Sequence, residues 1–486
     1  MRVYVNRGEK MKGVRIFFTI LCFILFAGGL YAEKSQPNFQ QSIQQKALPE
    51  VIEGRQTDIC KYSLKNGIPV YYIKNTENEI DDVSIVVKGG RPYLKSEQAG
   101  LEKALFTMMC RGSKKYNYYK RLFMFYEKSA SLFMNTMQDA SVLSVECVNY
   151  YMDEMLPLLT DSFMNPVYPK KVYDNMITEF AQQIQSSQTE PRFLLETTID
   201  EVAYKDHPYQ ASFNATKESL PNITIDAMKK WHKSILDSRR IFIVAVCSMD
   251  AEELVDKLNS TIGTIRALDT ELPEIEINEI NVSGKPIVIA NSSSAGSGYA
   301  VRLIKTPSVN DKEYLASRLA SIIYSDILYN LVRTKYGACY TPGNSLYHSK
   351  AGYGIEYLSM MSNFTDFTKY VKEARDIMAL GKYIEKLNED GSYVFSSVAE
   401  VLPGAKNSLI NSIFSYSTNT NGRTYQYISD LVFYDDITAS DAMIDKIHEV
   451  TVDEVLQVFK KYWVEQEGRW IAIVGPEYEN VISFDE

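Results

Sequence analysis

Ile223-Thr224-Ile225-Asp226-Ala227-Met228-Lys229-Lys230-Trp231-His232-Lys233 returns near the end of the chain as Val450-Thr451-Val452-Asp453-Glu454-Val455-Leu456-Gln457-Val458-Phe459-Lys460. In each copy a threonine suited to capping a helix precedes an acidic residue in the first turn and an amphipathic run. The hydroxyl accepts from free backbone amides, and the carboxylate is favoured at the positive end of the helix dipole. A buried-strand pattern follows both copies: Ile241-Phe242-Ile243-Val244-Ala245-Val246 in one, Trp470-Ile471-Ala472-Ile473-Val474-Gly475 in the other. The two units lie half a chain apart, so the sequence reads as two homologous halves.

Working outward, residues 61–72 and 82–88 have strand composition, the first run interrupted by the hairpin signal Asn66-Gly67. A helix is expected around Lys103. Residues 131–148 alternate apolar and polar over what reads as one long strand, and residues 152–163 form a helix stopped by Asn165-Pro166. Further helices are expected over about 170–186 and 192–204 and, in the second half, over 311–334, 363–387 and 398–413. Strands come first, with helices between and after and no strict strand-helix alternation, which is an α+β arrangement. The acidic, proline-containing stretch 269–282 reads as a linker. The expected organisation is a leader over 1–32, an extension over 33–57, domains over 58–268 and 286–486, and a linker over 269–285.

Five basic residues (Arg2, Arg7, Lys10, Lys12, Arg15) precede an apolar run from Ile16 to Leu30 that ends at Leu30-Tyr31-Ala32. That is the layout of a secretory signal, with Met11 as a second possible start and an uncleaved membrane anchor as the alternative. Removing it, with Glu9, would take the formal charge from -9 to -13. An acidic chain with few clustered cations argues against nucleic acid or anionic lipid as partner. Cys60, Cys110, Cys147, Cys247 and Cys339 are widely spaced and form no CxxC motif, which favours free thiols over a disulfide framework. His207, His232, His348 and His448 include no helical i, i+4 pair and read as surface or capping residues.

The helix around Lys103 carries the most chemistry by what it lacks. It reads Ala99-Gly100-Leu101-Glu102-Lys103-Ala104-Leu105-Phe106-Thr107-Met108-Met109-Cys110-Arg111-Gly112-Ser113-Lys114-Lys115-Tyr116. Further landmarks are Val86-Val87-Lys88-Gly89-Gly90, Asp206-His207-Pro208-Tyr209, Ser317-Arg318-Leu319 and Leu331-Val332-Arg333-Thr334-Lys335-Tyr336-Gly337-Ala338-Cys339-Tyr340. In their order and spacing these segments resemble the insulinase or pitrilysin-type zinc metallopeptidases, the inverzincins, over nearly all of the chain after Asp58. The two-domain length resembles the bacterial and processing-peptidase branch.

The resemblance implies two homologous α+β domains, each a mainly antiparallel sheet with helices packed on it, forming half of a clamshell. It also locates a site. The family's H-x-x-E-H puts two imidazoles and a general base on one helix face. Its histidines fall on Lys103 and Thr107 and its glutamate on Phe106. An ammonium group, a hydroxyl and a phenyl ring neither hold zinc nor activate water. The family's third ligand falls on Glu179, which one expects Lys103 to neutralise in place of the metal, with Phe106 filling the space of the catalytic water. The family's substrate-contacting Arg and Tyr fall on Arg333 and Tyr340. Thr334 departs from the usual Glu beside that arginine.

The implied protein is an exported, periplasmic or envelope-associated, non-catalytic subunit without a cofactor of its own. It would hold unfolded peptide and lend Arg333 and Tyr340 to a zinc-carrying family member in a heterodimer. The alternatives are a self-associating, non-enzymatic peptide scaffold and, least supported by the residues, an active zinc endopeptidase.

Overall fold

The computed structural model describes residues 49–485, so the leader over 1–32 and most of the extension over 33–57 lie outside the described residues. In the first half the strands are β1 (Glu50–Ile52), β2 (Ile59–Ser63), β3 (Pro69–Lys74), β4 (Ile80–Lys88), β5 (Ser131–Thr136), β6 (Ala140–Val148) and β7 (Ile241–Cys247). Its helices are α1 (Leu101–Arg111), α2 (Tyr118–Lys128), α3 (Met152–Met164), α4 (Lys170–Thr189), α5 (Pro191–Ala203), α6 (Ile225–Ile235) and α7 (Ala251–Asn259). The second half has β8 (Ile287–Ala290), β9 (Gly298–Lys305), β10 (Cys339–Leu346), β11 (Tyr353–Met361), β12 (Lys382–Leu387), β13 (Tyr393–Ser397) and β14 (Arg469–Val474). Its helices are α8 (Tyr314–Leu328), α9 (Phe367–Ala379), α10 (Val398–Tyr416), α11 (Thr420–Tyr434), α12 (Ala439–Glu449) and α13 (Val452–Phe459).

The internal repeat is a repeat of topology. The first sheet runs β1-β2-β3-β7-β4-β6-β5 and the second β10-β11-β9-β14-β8. The parallel β3–β7 pair matches the parallel β8–β14 pair, and the antiparallel series β7-β4-β6-β5 matches β14-β9-β11-β10. Thr224 and Thr451 cap α6 and α13 as their sequences imply, accepting from the amides of Ala227 and Glu454. Glu454 completes a capping box on Thr451.

The central strands of each sheet are buried on both faces, which is why β7 reads as an unbroken apolar run. Ile241, Ile243 and Ala245 face their own half's helices, whereas Phe242, Val244 and Val246 meet Ile428, Leu431, Val432 and Phe433 of α11. The exchange is reciprocal: Leu195, Ile199 and Ala203 of α5 cover Val301, Leu303, Ile471 and Ile473 of the second sheet. Each buried aliphatic side chain in these seams contributes about 1.5–3 kcal/mol. The connecting stretch 269–282 carries no regular structure, yet it packs down. Ile280 and Val282 are buried in the second seam.

Two expected elements are corrected. Residues 131–148 form a hairpin, β5 and β6, around Met137–Asp139. The amides of Gly89 and Arg91 hold that turn by donating to Asp139 O at 2.7 Å and Gln138 O at 2.8 Å. Gly90 has φ +62°, and a Cβ there would stand 2.3 Å from Gln138 O, so this close approach requires glycine. Residues 363–387 divide into α9 and strand β12, because Gly381 at φ +73° ends the helix in a left-handed turn. Among the described cysteines all are free, as expected.

Candidate functional site

Helix α1 starts at Gly100, φ +77°, where a Cβ would meet the backbone of Ala215 at 2.5 Å. This close approach lays the 212–215 loop against the first turn of α1. There Lys103 Nζ donates to Asn214 Oδ1 at 2.6 Å and to Gln183 Oε1 at 3.5 Å, and it lies 5.9 Å from the Phe180 ring centre. Burial pushes the Lys103 ammonium pKa down from its ordinary value. Thr107 lies one turn on, half-buried, and Phe106 is fully buried in the first core.

The expected Lys103–Glu179 pair is not formed. Glu179 instead accepts from Arg111 Nη2 at 2.5 Å, one turn beyond Thr107. A guanidinium near the end of the helix reaches the carboxylate of α4, while the shorter-range amides of Gln183 and Asn214 hold the lysine. Phe106 is fully buried in the first core, in the same cluster as Met176 and Phe180 of α4. Lysine, threonine and phenylalanine are the wrong donor set for zinc, and the one carboxylate is already held by arginine. Among the described residues no group of three or more His, Cys, Asp or Glu side chains is placed to hold a metal.

Sequence reasoning passed over Glu102. It is 4 % exposed, neither carboxylate oxygen has a hydrogen-bond partner, and burial raises its pKa against the opposing pull of Ser141, Arg240 and Trp231. Nothing in the local pattern distinguishes it from a first-turn acid that favours the helix dipole. Two of the four histidines also differ from expectation, while His348 and His448 are exposed. His207 and His232 are buried and held by the carbonyls of Asn278 at 2.8 Å and Phe163 at 2.7 Å.

In the second half the structure brings Arg333 and Tyr340 together. A π-helical turn, Tyr329–Lys335, extends α8, and Gly337 at φ +57° reverses the chain into β10. Arg333 stacks its guanidinium 4.4 Å from the Tyr340 ring centre and 5.0 Å from that of Tyr329. Tyr340 is 60 % exposed, and neither its hydroxyl nor the Arg333 guanidinium has a hydrogen-bond or ion-pair partner among the described residues. Tyr340 stands on β10, the outermost strand of its sheet, and β5 holds the equivalent edge of the first sheet.

Comparison with known proteins agrees with this architecture. Residues 70–217 match the family profile described as Insulinase (Peptidase family M16), and residues 222–383 match the Peptidase M16 inactive domain. A non-peptidase homolog, YmxG of Helicobacter pylori, is 18 % identical over 40 % of this chain, and that match spans only 45 % of YmxG. An uncharacterized zinc protease of Rickettsia felis is 20 % identical over 67 % of the chain and 78 % of its own length. Among solved structures, a protease from Helicobacter pylori superposes with TM-score 0.73 at 13 % identity, covering 88 % of this chain and 100 % of that one. A peptidase M16 inactive domain from Pseudomonas fluorescens gives 0.71 at 17 % identity, covering 86 % and 98 %. The periplasmic protease PqqL of Escherichia coli gives 0.70 at 13 % identity, covering 93 % of this chain and 49 % of that one. At such identities these structures speak to fold alone. Taken with the two profile matches, they place the chain in the insulinase family, peptidase family M16, as a member whose metal helix has lost the family's ligand residues.

Proposed function

We propose that this protein is the non-catalytic, peptide-holding subunit of an exported zinc peptidase pair. It supplies Arg333 and Tyr340 to the active site of a zinc-carrying family member. The observation that carries this reading is the stacked Arg333–Tyr340 pair, exposed beside a sheet edge with its polar groups uncommitted. A guanidinium can fork onto a peptide carbonyl, and a tyrosine hydroxyl can donate to oxygen that gains charge during cleavage.

Unfolded peptide would bind by adding a strand to a sheet edge. β5, with the sequence Ser131-Leu132-Phe133-Met134-Asn135-Thr136, has neither proline nor glycine, whereas β10 is blunted by Pro342 and Gly343. The β5 edge is therefore the better acceptor. Export rests on the basic and apolar residues of the leader.

The test is peptide cleavage by the reconstituted pair with wild-type, Arg333→Ala and Tyr340→Phe subunits, together with zinc analysis of this chain alone. Loss of turnover with intact pairing supports the proposal. Unchanged turnover in both variants would leave the self-associating scaffold, and one tightly held zinc per isolated chain would overturn the non-catalytic assignment.

A further inference from the structure

A cavity of about 490 Å³ opens at the corner where α8, α10, α11 and α12 of the second half meet the β5–β6 turn of the first. Its volume is in the range of sites that take small organic ligands. Most of its wall is apolar: Leu409 and Ile413 of α10, Phe433 of α11, and Met443 and Ile447 of α12. The two carboxylates on the wall are already engaged. Asp200 accepts both Nη groups of Arg91 at 2.8 and 2.9 Å, and Asp430 accepts the Ser440 amide at 3.0 Å and its hydroxyl at 2.7 Å.

The cationic side is not compensated. Arg318 Nη1 donates to Tyr314 Oη at 3.1 Å, and Tyr314 Oη lies 2.8 Å from His348 Nδ1. The tyrosine oxygen can accept from Arg318 while its own proton is donated to Nδ1, an arrangement that leaves the imidazole hydrogen on Nε2. His348 is itself exposed, yet the protein packed around it and the Arg318 charge push its pKa down to about 4, in keeping with a neutral ring. No carboxylate pairs with Arg318 among the described residues. The wall thus carries the remaining guanidinium N–H groups of Arg318 as donors, with the His348 ring beside them, in a mostly apolar space.

We infer that this cavity binds a monocarboxylate with an apolar body, its head on Arg318 and His348 and its chain among Leu409, Ile413, Met443 and Ile447. The chemistry suits either a free fatty acid or the C-terminus of a short apolar peptide. The inference does not depend on the proposed peptidase pairing, because neither Arg333 nor Tyr340 lines the cavity.

Isothermal titration of the full chain with sodium decanoate below micelle formation, with N-acetyl-leucyl-leucine, and with decanamide tests it. Saturable one-to-one binding of either acid is expected, weakened about tenfold to a hundredfold by Arg318→Gln and weak or undetectable for the amide. The acid that binds more tightly identifies the source. Ile413→Trp puts a larger ring into the cavity and should also abolish binding, while circular dichroism and thermal melting check that both variants fold. Binding of neither acid, equal binding of the amide, or undiminished binding by folded Arg318→Gln would each overturn the inference.

Discussion

By the sequence resemblance Lys103 with Glu179 and Arg333 with Tyr340 match positions where the insulinase family keeps its chemistry, and the fold treats the two pairs in opposite ways. In the first half both groups of the pair have found other partners: the ammonium Asn214 and Gln183, the carboxylate Arg111. In the second half a guanidinium and a phenol stack on each other and leave their polar hydrogens free. A charge that has found internal partners has lost its reason to meet a substrate, since releasing it would cost those hydrogen bonds. A charge without them can meet one at no such cost. The difference is one between charges committed inside the fold and polar groups left uncommitted.

The strongest way to break that contrast is to rebuild the retired helix. Writing histidines at Lys103 and Thr107 and glutamate at Phe106 places a carboxylate at a fully buried core position. Phe106→Glu alone should cost about 3–5 kcal/mol in chemical denaturation, through lost packing and an unpaired buried acid. No stoichiometric zinc is expected in the triple variant, because Glu179 remains committed to Arg111 and no surrounding shell orients the new ligands. A folded triple variant that holds zinc would show the site to be dormant rather than dismantled.

On the other side of the contrast, Tyr340→Phe should lower turnover of the reconstituted pair about 10²-fold if the hydroxyl serves the reacting oxygen, leaving the melting temperature of this chain unchanged. Arg333→Ala should behave alike.

A pH series sharpens the comparison by asking where buried acids burden the fold. Burial raises Asp82 and Asp430 to about 7, and Glu102 is raised as well. A carboxyl raised in the folded state stabilises the fold fully below its unfolded pKa and loses that contribution as pH rises through the folded one. Stability should therefore fall between about pH 4 and pH 8, by roughly 4 kcal/mol for a single fully buried group such as Asp82. Asp82→Asn should flatten part of the slope, read from urea midpoints at each pH. The smallest effect belongs to the absorbed pair: Glu179→Gln removes a partly exposed ion pair and should change stability by about 1 kcal/mol or less.

The two corrected elements show where sequence reading stops. The end of α9 had a local cue in Gly381, but the following Lys382-Tyr383-Ile384-Glu385-Lys386-Leu387 keeps a helix-compatible spacing of charges and hides the change to strand. The turn of the β5–β6 hairpin had only a weak cue of its own. Asp139 alone among Met137, Gln138 and Asp139 is a turn former, and the amides that hold the turn belong to Gly89 and Arg91, nearly fifty residues earlier. Lys103 failed for a related reason. The residues that hold it, Gln183 and Asn214, are brought to it by α4 and by the loop resting on Gly100.

What the sequence determined by itself is local and periodic: the capping threonines, the paired helix-strand units that announce two halves, and the side chains that cannot ligate zinc. Those properties belong to one residue or one turn, and hydrogen-bonding capacity and helical spacing suffice to read them. Only the tertiary structure decided that each half lends a helix to the other's sheet and that Arg111 rather than Lys103 answers Glu179. It also decided that Arg333 reaches Tyr340 while Arg318 stands over an apolar cavity without a counter-charge. Partner choice among charged side chains is a contest of distances across packed elements, and those distances exist only once both sheets are buried.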